Sequence, residues 1–77
     1  MAICRNRQLA AQTLLEVYEN LHCCRVSLYA VASLLNELDP LALFVPYTVE
    51  RRCEDGNVFD VILYDGEVLL SREVQEV

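Results

Sequence analysis

The sequence predicts an α+β fold in which a helical hairpin, at about residues 8–22 and 27–38, lies across one face of a three-stranded antiparallel β-meander, at about 43–53, 58–64 and 67–74, in the order ααβββ. Three observations predict it. Apolar residues recur at three- and four-residue steps through the first half of the chain, the helical period. After Pro40 the period falls to two, the mark of a strand. Asp65-Gly66 then separates two β-prone runs, 60–64 and 67–70. That dipeptide favours a type I′ hairpin turn, because Gly takes positive φ without steric cost and Asp tolerates it.

Asn6 is placed to cap the first helix. Ala10, Leu14, Val17, Tyr18 and Leu21 then form one stripe, with Gln8, Gln12, Glu16 and Glu19 on the polar side. His22-Cys23-Cys24-Arg25 and the β-branched Val26 break the pattern and supply a short link. Ser27 reads as the N-cap of the second helix, along which Leu28, Val31, Leu35 and Leu38 recur. Asp39-Pro40 ends it, since the residue before a proline is pushed out of the α region. A continuous helix from 8 to 38 is the alternative, because Leu21 and Leu28 keep a seven-residue spacing.

Leu43, Val45, Tyr47 and Val49 alternate with Phe44, Pro46, Thr48 and Glu50, giving the first strand, with Pro46 confined to an edge or a bulge. Glu54-Asp55-Gly56-Asn57 is the next turn. A three-residue loop, Asp55 to Asn57, keeps Val45, Tyr47 and Val49 on the face of Val61 and Leu63, and pairs Arg52 with Asp60. Counting outward from Asp65-Gly66, Tyr64 opposes Glu67, Leu63 opposes Val68, Ile62 opposes Leu69 and Val61 opposes Leu70. Both faces of this ribbon are apolar. The helices are expected to cover Val61, Leu63, Val68 and Leu70. Ile62, Tyr64 and Leu69, with Phe44 near one end, are then left as an interface rimmed by Glu50, Arg52 and Asp60. Residues 72–77 are expected to fray. Pro46 blunts one sheet edge, which leaves the last strand as the freer one.

Seventy-seven residues make a single small domain, 1–77, and a chain of this size buries only about 60% of the surface its unfolded form exposes. It is 55% hydrophobic, above the usual share, so apolar surplus is expected at the surface. The formal charge is −6; residues 1–40 hold three Arg against four acids, and residues 41–77 hold three Arg against eight. That sign repels phosphate, so neither nucleic acid nor an anionic membrane surface is an expected partner. No secretory signal and no membrane span is apparent, and a cytoplasmic location with reduced cysteines is expected.

Cys4, His22, Cys23 or Cys24, and Cys53 are the residue types of a zinc site, yet there is no C-x₂-C knuckle and adjacent side chains diverge. No metal and no cofactor is therefore expected. A Cys-His nucleophile requires His22 to reach a distant thiol, because neighbours at i+1 and i+2 on a helix do not face each other. Glu50 with Asp60, and Asp65 with Glu67, read as solubilising charges. No catalytic residue is assigned, and the chain is not expected to be an enzyme. Two helices before a hairpin resemble the end of a winged helix, but residues 26–40 hold no Arg or Lys and one Asn, leaving little to hold phosphates or read bases. The expected function is a small acidic protein–protein interaction module, an accessory regulator or inhibitor. It would bind a protein partner or a second copy through Phe44, Ile62, Tyr64 and Leu69. The alternatives are an acidic nucleic-acid mimic built on residues 50–76, and a winged-helix-like DNA-binding regulator.

Overall fold

Residues 2–22 contain no Gly or Pro, so nothing in them resists helix propagation. The computed structural model describes residues 2–74, with side chains from residue 6 onward, and its first element, α1, is one helix over Ala2–His22. Asn6 is therefore interior to the helix and caps nothing. Cys23 stops α1 by taking φ 52°, the left-handed conformation common just beyond a helix end. A continuous helix to residue 38 is thereby ruled out.

Helix α2 spans Leu28–Leu38. Ser27 caps it as expected: with φ −68° and ψ 144°, its hydroxyl accepts the Tyr29 N–H at 3.1 Å. Asp39 closes the other end, donating its own N–H to the Leu35 carbonyl at 3.0 Å. The same Asp39 opens a 3₁₀ turn, Pro40–Leu43, by accepting the Leu41 N–H at 3.0 Å. The expected first strand therefore starts late, at Thr48: a proline at the first position with an aspartate cap before it nucleates a turn that takes Leu43, and the Phe44 and Val45 N–H groups bond back to the Leu41 carbonyl.

The strands are β1 (Thr48–Glu54), β2 (Asn57–Tyr64) and β3 (Glu67–Glu73), antiparallel in the order β1-β2-β3. The architecture is the expected one, two helices followed by an antiparallel meander on which they pack. Both connections are two-residue type I′ turns, with φ 51° and 80° at Asp55-Gly56 and 52° and 81° at Asp65-Gly66. The expected three-residue first loop does not occur. It is needed only if Val45, Tyr47 and Val49 share the face of Val61 and Leu63; Val45 and Tyr47 precede β1, and Val49 pairs with Ile62 on the other face. The two-residue turn pairs Arg51, not Arg52, with Asp60.

In the second hairpin Tyr64 opposes Glu67 and Leu63 opposes Val68, as counted from the turn; then a bulge makes Ile62 oppose Leu70. Leu69 is the extra residue, and Leu69 and Leu70 both join the helix side. Cross-strand partners share a face, so Val49, Ile62, Tyr64 and Leu70 lie under the helices, whereas Val61, Leu63 and Val68 lie on the far face. This reverses the expected assignment. With both faces apolar, periodicity carries no preference. Asp60 on the Ile62 face is tolerated at 8% exposure because Arg51 donates to both its oxygens, at 2.9 and 3.3 Å.

The core is Ala11 and Leu15 of α1, Leu28, Val31, Ala32 and Leu35 of α2, Ala42, Tyr47, Ile62 and Leu69. Helix α1 lies over β3 and against α2, and α2 lies over β1 and β2. The buried stripe of α1 is turned by one residue from the expected one: Ala11 and Leu15 point inward, while Ala10, Val17 and Leu21 are exposed.

Candidate interaction surface

Polar side chains tie the helices to the sheet at both ends of the helix–sheet seam. At one end Glu19 of α1 accepts from Arg72 of β3 at 2.6 Å and from the Val26 N–H at 2.9 Å, and Arg72 donates to the Val26 carbonyl at 2.9 Å. The Glu19 carboxyl is held below the ordinary carboxylate range, first by the Arg72 bond and then by the Val26 N–H.

At the other end Arg7 of α1 donates to the Asp39 carboxylate and to the Tyr47 hydroxyl, and its guanidinium lies 4.0 Å from the centre of the Tyr64 ring. The Tyr47 hydroxyl itself donates to Asp39 at 2.6 Å. Asn36 fixes the Tyr47 main chain from both sides, accepting its N–H at 2.7 Å and donating to its carbonyl at 3.1 Å. The Tyr47 and Tyr64 rings meet with centroids 4.7 Å apart. These partners set the protonation states. The Tyr47 and Arg7 bonds hold the Asp39 carboxyl below its ordinary value. Burial, with Asp39 next, pushes the Tyr47 hydroxyl up to about 12. The Arg7 guanidinium, bound to Asp39, is raised. All three keep one charge state near neutral pH, and the cluster clasps α1 to the end of α2 and to the sheet.

The clasp floors an open apolar groove of about 460 Å³ between α1 and the end of α2, lined also by Asn6, Ala10, Leu14, Leu35, Leu38 and Pro40. Asn6, Ala10 and Leu14 are shared with a second open strip along α1 that adds Leu9, Thr13 and Val17. The two form one continuous surface. The α1 strip, Asn6, Leu9, Ala10, Thr13, Leu14 and Val17, contains no charged residue, whereas the groove beside it has the paired Arg7 and Asp39 at its floor. Leu9 is 65% exposed and Leu38 67%. Leu21, Leu41 and Leu43 are exposed large hydrophobics as well.

Of the interface residues expected from the sequence, Ile62 is 0% exposed and Leu69 is buried, both in the core beneath the helices. Tyr64 is half-buried under Arg7. Phe44 alone is open, at 82% exposure after the 3₁₀ turn. The structure does not bring the four together on an outer sheet face. Their expected rim is divided too: Glu50 and Arg52 pair with each other at 3.0 Å on the far face, opposite to Asp60. That far face holds an open depression of about 170 Å³ lined by Arg52, Glu54, Phe59, Val61, Val68 and Ser71. Leu9, Ala10 and Leu38 went unassigned as surface, although the doublets Ala10-Ala11 and Leu14-Leu15 make α1 apolar over an arc wide enough for two faces.

Cys23, Cys24 and Cys53 are exposed free thiols, and Cys4 lies outside the described side chains. The His22 and Tyr18 rings meet at a tilt of 50° with centroids 4.6 Å apart. Among the described residues no group of three or more His, Cys, Asp or Glu is placed to hold a metal ion, and no helix is long and apolar enough to cross a membrane.

No family model, curated protein or solved structure significantly matches this chain.

Proposed function

We propose that this chain is a small acidic protein–protein interaction module, an accessory regulator or inhibitor acting without catalysis, and that it meets its partner through the helix side of the domain. One observation carries the reading. Among the described residues, the exposed large hydrophobics are Leu9, Val17 and Leu21 of α1, Tyr29 and Leu38 of α2, Leu41, Leu43 and Phe44 at the 3₁₀ turn, and only Val68 on the sheet. An apolar surface of this kind, continuous over Leu9, Ala10, Leu14, Val17 and Leu38, is what a protein interface presents.

The arginines support a protein partner over nucleic acid. Arg7, Arg51, Arg52 and Arg72 bind acids of their own chain, and Arg25 donates to the Glu73 carbonyl. Among the described side chains, little arginine charge is left uncompensated to neutralise phosphates. Acidic mimicry is supported less well, because the turn acids Glu54 and Asp55 sit at one end of the meander and Asp65 and Glu67 at the other. Replacing Leu9, Val17 and Leu38 together by Glu should abolish capture of the partner from host lysate in about 0.5 M salt, where charge contacts are screened, while circular dichroism stays unchanged. Capture that survives this triple substitution and is lost on changing Phe59 and Leu63 of the far face overturns the assignment.

A further inference from the structure

The two edges of the sheet differ in a way that bears on self-association. The edge of β3 is occupied by its own chain: Gln8 donates to the Val68 carbonyl at 3.2 Å and Arg25 to the Glu73 carbonyl at 2.7 Å. Among the described residues the edge of β1 has no such cover, and Pro46 does not blunt it, because the strand begins two residues later, at Thr48. In a two-residue hairpin the residues flanking the turn exchange main-chain bonds, so Glu54, Arg52, Glu50 and Thr48 direct their N–H and C=O toward β2. Val49 and Cys53, between them, direct theirs outward, and Cys53 is exposed. An uncovered strand edge is a template for another strand.

We propose that β1 pairs antiparallel with β1 of a second copy, about a two-fold axis at Arg51, to make one continuous six-stranded sheet from two three-stranded ones. The charges, together with full overlap of Thr48–Glu54, select both occupant and register. An axis normal to the sheet keeps both copies' helices on one side, and cross-strand partners share a face, so even-numbered residues must meet even-numbered ones. Centring on Glu50 opposes Glu50 to its own copy; centring on Arg52 opposes Arg52 to its copy and Glu50 to Glu54. Centring on Arg51 places Glu50 against Arg52 twice, on the far face, and Val49 against Cys53 twice, with their outward main-chain groups bonding. Arg51 there opposes its own copy, but unlike Glu50 in the first register each Arg51 is bound by a buried acid of its own chain, Asp60, at 2.9 and 3.3 Å. Glu50 and Arg52, already joined at 3.0 Å within each copy, exchange partners across the axis without a new charge being left alone. The helix-side apolar surface takes no part, so this inference is independent of the partner-binding reading.

Sedimentation equilibrium of the full chain up to about 1 mM should show a monomer–dimer equilibrium. Glu50→Arg and Arg52→Glu should each raise the dimer Kd about tenfold or more, since each converts two attractive cross-strand pairs into repulsive ones. The charge-swapped Glu50→Arg/Arg52→Glu chain should recover wild-type association, a result that general surface effects do not produce. Cys53→Pro, which removes an outward N–H and no bond to β2, should abolish the dimer with the fold retained. A chain that stays monomeric throughout overturns the proposal. So do single reversals that dimerise like wild type, or a dimer lost on Leu9→Glu/Val17→Glu instead.

Discussion

Tyr47 is the residue on which most of the chain converges, since it meets Asp39 and Arg7 through its hydroxyl, Asn36 through its main chain and Tyr64 through its ring. Two pH dependences follow, of opposite sign. Asp39 is depressed below its ordinary 3.8, so its contribution is complete above that value and is lost as pH falls through the lower folded one. Tyr47 is raised from 10.0 to about 12, so its contribution is complete below pH 10 and is lost between pH 10 and 12. Tyr47→Phe should therefore cost about 1 kcal/mol at pH 7, the net worth of a hydrogen-bonded hydroxyl. The difference in urea midpoint between variant and wild type should shrink over the alkaline range. Asp39→Asn should cost about 2 kcal/mol at pH 7, because it leaves the Arg7 charge without its counter-ion in a mostly buried site. The same variant should flatten the acid limb of the stability profile below pH 4.

The meander and the second helix rest on short local signals, and these are where the sequence was legible. Ser27 caps α2, Asp39-Pro40 ends it, and Asp65-Gly66 makes a type I′ turn, each through chemistry contained in two or three neighbouring residues. Gly66→Ala should cost about 1 kcal/mol in urea unfolding. The added methyl meets nothing within 4 Å, so at φ 81° the whole cost is conformational. Ser27→Ala should cost about 1 kcal/mol through the lost cap. What local signals did not carry was phase. The alternation Leu43, Val45, Tyr47 has the period of a strand, yet Asp39 and Pro40 initiate a 3₁₀ turn that takes Leu43 and delays the strand to Thr48, and an odd loop that would continue that alternation puts the Arg51–Asp60 register off by one. The bulge at Leu69 has no residue-type marker, and with apolar side chains on both faces of β2 only tertiary packing decides that Ile62 faces the helices. The candidate surface was hidden for the same reason: Ala10-Ala11 and Leu14-Leu15 allow α1 to bury either of two adjacent stripes.

With Ile62 and Leu69 enclosed by the helices, the apolar surplus of a 55% hydrophobic chain emerges on the outer side of those helices and at the 3₁₀ turn. The sheet's far face is closed in part by its own residues: Glu50 and Arg52 pair there, and Val61 is buried among the side chains around it. The molecule thus has a core side, a charge-laced sheet side and an apolar helix side, and the functional proposal depends on that division. Equilibrium urea unfolding of two variants tests it most directly. Leu9→Glu/Val17→Glu changes only exposed positions and should remain within about 1 kcal/mol of wild type. Ile62→Asp places a carboxylate at a fully enclosed site and should cost about 4 kcal/mol or more, enough to unfold a domain of this size. A folded Ile62→Asp chain beside an unfolded Leu9→Glu/Val17→Glu chain would contradict the account, because it would place the core where the interface is drawn.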